Sequence, residues 1–134
     1  MGDVNAVAVV VSAAAVVVTS TIWYSVLGTQ LATLHEAYAE AAASNGRPPA
    51  WKVGLELLRS LVVASVVAGL ADQLELSGGL DGAKLGLVLW VGFPVVLWTG
   101  AVMWEKVRPR LAVIHAGDWL LKLLLISVIV TVWD

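Results

Sequence analysis

Four long apolar stretches constrain this chain more than any other feature of its sequence. The first, residues 4–27, contains no charged side chain, and three others follow at residues 51–74, 83–104 and 111–133. A helix needs about 20 residues to cross a hydrocarbon core of about 30 Å. The stretches therefore predict four transmembrane helices with short connections, in a single transmembrane domain that covers residues 1–134.

The composition excludes the other classes of protein. Hydrophobic residues make up 60% of the 134 residues and charged residues 13%, against about 25% charged residues in ordinary soluble domains. A soluble domain of this size has too little interior to bury so much apolar surface. The predicted fold class is an all-α integral membrane four-helix bundle, with membrane lipids as its surroundings.

Several kinds of chemistry are also disfavoured. The chain has no cysteine, which removes disulfides, thiolate metal sites and cysteine nucleophiles. Its net charge is −2 without a basic block, so we expect no nucleic-acid partner. No Ser-His-Asp, HExxH, P-loop or GxGxxG pattern is present. We expect no cofactor and no metal; the sequence leaves enzymatic activity undecided but favours a protein that is not an enzyme.

A more polar segment separates the first two stretches. Apolar residues recur there at helical spacing, with Leu31, Leu34, Tyr38 and Ala42 at positions i, i+3, i+7 and i+11. This periodicity predicts a short interfacial amphipathic helix at about residues 29–44. Such a helix would be a simple connector along the membrane surface, or else a lid or a docking element for a partner.

Among the ionisable side chains inside the predicted spans, where charge is costly, five are spaced so that they can form one network. They are Glu56 and Arg59 on the second span, with His115, Asp118 and Lys122 on the fourth. A charge at the centre of a membrane helix costs about 2.5–3.5 kcal/mol on insertion scales. Such groups persist when they are paired or face water, so these five are the candidate site.

The spacing of these residues indicates how they meet. His115, Asp118 and Lys122 lie within about 60° of one another on their helix and form one face. Glu56 and Arg59 share a face by the i, i+3 rule. Arg59 and Asp118 lie at similar depths from the ends of their helices, so we expect them to pair. The result would be a buried polar network between the second and fourth spans.

This network supports two functions of different classes. One is the binding or passage of a small polar or ionic solute, because ionisable groups inside a membrane are functional candidates by default. The other is a non-catalytic membrane scaffold, or a module that binds a partner or lipid, in which the network fixes the helix register. A water-filled cavity that reaches Asp118 would favour the solute, and a dry, fully paired network would favour the module.

Small residues form stripes on two of the spans. Ser12 and Thr19 are seven residues apart in the first span, and Gly82 and Gly86 are four apart in the third. Small side chains let helix backbones approach closely. Because four short helices do not easily enclose a pathway, we expect a homo-oligomer that uses these stripes as interfaces. Pro94 predicts a kink in the third span.

Several local patterns resemble one protein family. They are Trp23-Tyr24-Ser25 with Gly28, then Trp90-x-Gly92-Phe93, then a basic connector followed by Ala116-Gly117. In their order and spacing they resemble the domain of unknown function 1761 family, whose members are small bacterial membrane proteins with about four predicted helices. The chain departs from the family pattern at Val26, where proline is usual, and at Asp118, where an aromatic residue is usual. The resemblance implies a fold and a location but no activity.

Basic residues are distributed unevenly between the two sides of the predicted domain. With four spans, both termini and the loop near residue 79 share one side, where the only basic residue is Lys84. The opposite side carries five basic residues: Arg47, Lys52, Lys106, Arg108 and Arg110. The positive-inside rule makes this second side cytoplasmic. The predicted location is the bacterial inner (cytoplasmic) membrane, multi-pass, with both termini extracytoplasmic.

Reporter fusions test this orientation. Alkaline phosphatase, which folds only outside the cytoplasm, should be active when it is fused to the C-terminus, because that end lies opposite the basic side. The matched control is the same reporter fused after Val107, in the basic connector, where it should be inactive. The opposite pattern of activity in the two fusions would overturn the orientation.

Overall fold

A computed structural model describes residues 5–34, 36 and 50–133 of the chain. Within these residues the secondary structure is entirely helical. The helices, with labels used from here on, are α1 (Ala6–Val26), α2 (Gly28–Leu34), α3 (Ala50–Gln73), α4 (Gly79–Gly92), α5 (Pro94–Trp104) and α6 (Pro109–Val132).

The helices give four candidate membrane spans within the described residues. Helices α1, α3 and α6 are each long and apolar enough to cross a membrane alone, and α4 and α5 do so together as Gly79–Trp104. The predicted all-α membrane fold is confirmed, and the chain is a multi-pass membrane protein. Of the predicted interfacial helix at residues 29–44, α2 is the first part; the remainder, apart from residue 36, lies outside the described residues.

Helix α6 is the centre of the fold. It contacts each of the other described helices, and its closest packing is against α4. Helix α1 lies against both α3 and α6, whereas α3 and the α4–α5 pair flank α6 without substantial contact between them. The apolar core sits where α1, α3 and α6 meet, around Val16, Ala64 and Ile126. Any side chain on α6 is therefore placed by several neighbours at once.

Glycines allow the close packing of α4 on α6. A Cβ at Gly82 would overlap the hydroxyl of Thr131 and lie 2.5 Å from the carbonyl oxygen of Ser127. At Gly86 it would lie 3.0 Å from the carbonyl oxygen of Leu123. The two backbones therefore touch along this line, as small-residue membrane interfaces do.

Parts of the small-residue stripes are used for packing inside the chain. Gly82 and Gly86 face α6, and in α1 the buried positions include Ala8 and Ser12. These positions therefore contact neighbouring helices of the same chain, whereas Thr19 of the α1 stripe stays partly exposed, and the oligomer remains a prediction. The sequence alone could not identify these neighbours. A stripe of small residues shows that another helix can approach closely, but not which helix it is.

The third span is interrupted where Pro94 predicts a kink. Phe93 separates α4 from α5 with φ −122° and ψ −73°, outside the helical region. Proline has no N–H to donate to the carbonyl of Trp90. The Phe93 N–H still donates to Leu89 at 3.0 Å, and the Phe93 carbonyl accepts from Leu97 at 2.8 Å. The break is thus confined to about one residue, and the two halves continue as one span.

Alanine substitutions at two glycines test the contact between α4 and α6. Gly82→Ala should destabilise the protein by about 1–3 kcal/mol, because its Cβ forces the two helices apart. Gly100→Ala, at a glycine of α5 with no neighbour within 4 Å of the added carbon, should be neutral or stabilise by up to about 1 kcal/mol. The measurement is thermal unfolding in detergent. Equal effects of the two variants would show that α4 does not pack closely on α6.

Candidate functional site

Asp118 is the buried charged residue of the described chain, with 2% of its surface exposed. The hydroxyl of Ser20 donates to its Oδ1 at 2.6 Å, and the hydroxyl of Tyr24 donates to Oδ2 at 3.3 Å. The ammonium group of Lys122 lies 3.0 Å from Oδ2. Both carboxylate oxygens therefore have partners, and the charge is compensated within the same helix.

The regular geometry of two helices produces this arrangement. Asp118 and Lys122 are four residues apart on α6, and Ser20 and Tyr24 are four residues apart on α1. Residues at this spacing lie one above the other on a single helix face. Since α1 packs directly against α6, a pair of hydroxyl groups meets a pair of opposite charges.

Lys122 links this pair to α3. Its side chain is 11% exposed, and its Nζ lies 3.7 Å from Oε1 of Glu56. The same nitrogen lies 4.9 Å from the centre of the Trp119 ring, a favourable cation–π distance. The lysine therefore has two carboxylates and an aromatic face around it, which offsets the cost of a charge placed in the interior.

The predicted pair between Arg59 and Asp118 is wrong. The Arg59 guanidinium donates to Oε2 of Glu56 at 2.8 Å, and the Arg59 side chain is 61% exposed. Helical spacing placed Arg59 at the right depth but did not decide between competing cations. Lys122 reaches the carboxylate from the same helix, whereas Arg59 pairs locally at i−3 and keeps its exposure.

His115 joins the network through Tyr24. Its Nδ1 lies 2.7 Å from the Tyr24 hydroxyl, and its ring stacks on Trp98 of α5 at a centroid distance of 4.6 Å and an angle of 13°. A tyrosine hydroxyl has one proton, so the direction of its hydrogen bond with His115 depends on the histidine tautomer, and the proton is free for Asp118 when Nδ1 of His115 carries a hydrogen. Tyr24 therefore holds the histidine and the buried aspartate together.

The structure thus brings the five residues of the predicted site into one connected network. Four are linked by ion pairs, and His115 is linked through a hydroxyl. The sequence analysis did not include four residues that complete it: Ser20, Tyr24, Trp98 and Trp119. The i, i+4 spacing of Ser20 and Tyr24 was a usable signal, since it places both hydroxyl groups on one face of α1.

Two tryptophans fix the position of the first half of α6. The Nε1–H group of Trp23 donates to the carbonyl of Ile114 at 3.0 Å, and that of Trp90 donates to the carbonyl of Ala116 at 2.8 Å. A Cβ at Gly117 would lie 2.8 Å from the Trp23 ring. The motifs quoted above thus contact one another immediately before Asp118 and hold it between α1 and α4.

Little space for water adjoins the network. A recess of about 30 Å³ is lined by Glu56, Arg59, Trp119 and Lys122, among others, and Asp118 is not part of its lining. Its volume is roughly the share of one molecule in liquid water. In the described part of the chain, no group of three His, Asp or Glu side chains is arranged to hold a metal ion.

A double-mutant cycle tests the central pair. Lys122→Met should destabilise the protein by about 3–5 kcal/mol, because it leaves the Asp118 carboxylate buried without a counter-charge. Adding Asp118→Asn should recover most of this loss, since the amide keeps the shape without the charge. Arg59→Ala, at an exposed pair, should cost less than about 1 kcal/mol. Unfolding in detergent measures all of these variants.

Additivity of the two changes at residues 118 and 122 would show that the pair contributes nothing. A large loss of stability in Arg59→Ala would instead restore the pairing that the sequence favoured. The first result would remove Lys122 as the partner of Asp118, and the second would favour Arg59.

Comparison with known proteins identifies one family. The family described as "Protein of unknown function (DUF1761)" matches residues 7–131, which is nearly the whole chain. No curated protein and no solved structure matches the chain significantly. The resemblance seen in the tryptophan and glycine motifs is thereby confirmed, and the chain belongs to the DUF1761 family, whose function is unknown.

Proposed function

We propose that this protein is a non-catalytic membrane module in which the ionic network locks the helices together. One observation carries the proposal: both oxygens of Asp118 are occupied by Ser20, Tyr24 and Lys122, and the group is buried. A site that binds or releases a solute needs groups that exchange partners. A carboxylate already saturated by its own chain favours the structural role.

The physical role of such a lock follows from the cost of charge in a membrane. Rotating α6 away from α1 would remove the hydroxyl donors of Ser20 and Tyr24 from Asp118 and turn the Asp118–Lys122 pair toward hydrocarbon, where charged groups are costly. Turning α3 away would also remove Glu56 from Lys122. The network therefore favours a single rotation of three helices, a specificity that apolar packing alone does not give.

A module of this kind acts through its surfaces. The first ten residues of α3, residues 50–59, are exposed almost throughout and include Trp51, Leu55 and Leu58. We include a homo-oligomer in the proposal, with this face of α3 as the contact in place of the small-residue stripes. The bacterial inner membrane and extracytoplasmic termini also belong to the proposal, supported by the distribution of basic residues.

A second candidate is the passage of a proton or small ion, in keeping with the solute-binding alternative. One observation favours it: polar contacts continue without a break from His115, through Tyr24 and Asp118, to Lys122 and Glu56. Glu56 is partly exposed, so this end of the network is open. On this hypothesis, the ion would enter through the recess beside Glu56.

Ion flux in lipid vesicles separates the two functions. The double variant Asp118→Asn with Lys122→Met removes the ionic centre while conserving the packing. Purified protein is placed in vesicles that contain a pH-sensitive dye, and a membrane potential is imposed. The module predicts no flux above that of empty vesicles for either protein.

Flux in the wild-type protein that the double variant lacks would replace the module with an ion pathway. A matched measurement in cells uses a strain whose own copy is deleted. The module predicts that the double variant corrects any growth defect of the deletion as well as the wild type does. Failure of a well-expressed double variant to correct the defect would contradict it.

A further inference from the structure

A long apolar groove runs between α3 and the α4–α5 pair. Because these elements flank α6 without substantial contact, the space between them stays open, with a volume of about 620 Å³. Trp119 and Leu123 of α6 form its floor, and Phe93 and Leu97 contribute to one wall. Trp119 also lines the small recess beside the ionic network, so the groove and the recess are neighbours.

The lining of the groove is suited to an amphiphilic ligand. Its side chains are aliphatic or aromatic with a single ionisable exception, Glu105, which follows the last residue of α5. The charged group thus lies at one end of the groove, at the predicted membrane boundary, and the remainder of the groove is apolar. A ligand that matches it has one polar end and a long hydrocarbon body.

The length and volume of the groove fit a single hydrocarbon chain. On α3 the lining residues span 62–70, a rise of about 12 Å, and on α4–α5 they span 89–105, a rise of about 24 Å. These lengths bracket the thickness of one leaflet, about 15 Å. A helix about 10–12 Å across is too thick to lie wholly within this volume. An acyl chain is thin enough, and lipid already surrounds the protein.

The charges at the groove mouth select a class of headgroup. Glu105 is followed by Lys106, whose backbone adopts φ +56° in the turn that leaves α5. Both side chains are exposed, so consecutive residues at the end of the groove carry an accessible carboxylate and an accessible ammonium group. A headgroup with a primary amine and a phosphate complements both, because the amine can donate to Glu105 while the phosphate accepts from Lys106.

We propose that this groove binds one acyl chain of an amine-bearing phospholipid, with its ammonium group on Glu105 and its phosphate on Lys106. This goes beyond the proposed membrane module by naming its ligand. The groove shares Trp98 and Trp119 with the network, but Leu97 and Glu105, where it is tested, have no part in the ionic lock, so either idea can fail without the other.

Lipid retention measured by native mass spectrometry tests the apolar part. Purified protein in detergent is mixed with phosphatidylethanolamine, and the bound lipid per chain is counted. Wild-type protein should retain one lipid. Leu97→Trp fills the groove and should lower retention at least tenfold. The matched control is Val96→Trp, which adds the same side chain to an exposed, neighbouring position outside the groove and should retain lipid normally.

The headgroup part has its own variant. Glu105→Gln should weaken the binding of phosphatidylethanolamine about tenfold and leave phosphatidylglycerol, which has no amine, unchanged. Wild-type protein should prefer phosphatidylethanolamine to phosphatidylcholine, whose quaternary ammonium group cannot donate a hydrogen bond.

Three results would overturn the proposal. The first is wild-type protein that retains no lipid, and the second is equal retention by Leu97→Trp and Val96→Trp. The third is dissociation of an oligomer in Leu97→Trp alone, which would make a second copy of the chain the occupant. Unchanged binding in Glu105→Gln would overturn the assignment of the amine. Thermal unfolding of these variants should match the wild type, which separates this test from that of the ionic lock.

Discussion

The ion pair between Asp118 and Lys122 is the interaction on which the rest of the structure depends. A charge inside a bilayer has few acceptable partners, so each one strongly restricts where its helix can lie. Here the carboxylate requires α1 for its hydroxyl donors, and the lysine requires α3 for its second carboxylate. Both are fixed on α6, and these requirements determine how three of the four spans are rotated about their axes.

The packing around α6 also holds this helix in the position that the ion pair requires. Trp23 and Trp90 donate to two carbonyl groups of α6 from opposite neighbours, and Gly82 lets α4 approach the far half of the same helix. Each of these contacts depends on a residue type that has no substitute of equal shape and bonding. The central helix is thus held by directional contacts along its length, whereas its surroundings are mostly apolar surface.

The sequence predicts much of this fold, because membrane spans follow from length and hydropathy alone. It also identifies the five ionisable residues, since charge inside a span is rare and costly. It could not decide that Lys122 rather than Arg59 reaches Asp118, because depth along a helix says nothing about the rotation of its neighbour. Ser20 and Tyr24 were missed for a related reason: a hydroxyl in a membrane helix usually bonds its own backbone, as Thr21 does here.

Trp119 separates two environments with different chemistry. One face of the ring lies near the ammonium group of Lys122, and the residue also lines the apolar groove. Trp98 has a similar double role, since it stacks on His115 and lines the groove as well. The polar centre and the groove are therefore adjacent and share two aromatic side chains.

The most direct test of this account is the access of water to Asp118 in a bilayer. Solid-state NMR can follow the transfer of magnetisation from water protons to the labelled Asp118 carboxyl carbon, assigned by its loss in Asp118→Asn. The account predicts slow transfer to Asp118, comparable with that to the buried core residue Ile126, and a close contact with the Lys122 ammonium group. Transfer as fast as that to the exposed Glu105 carboxylate would contradict it, because a hydrated Asp118 would belong to an ion pathway rather than a lock.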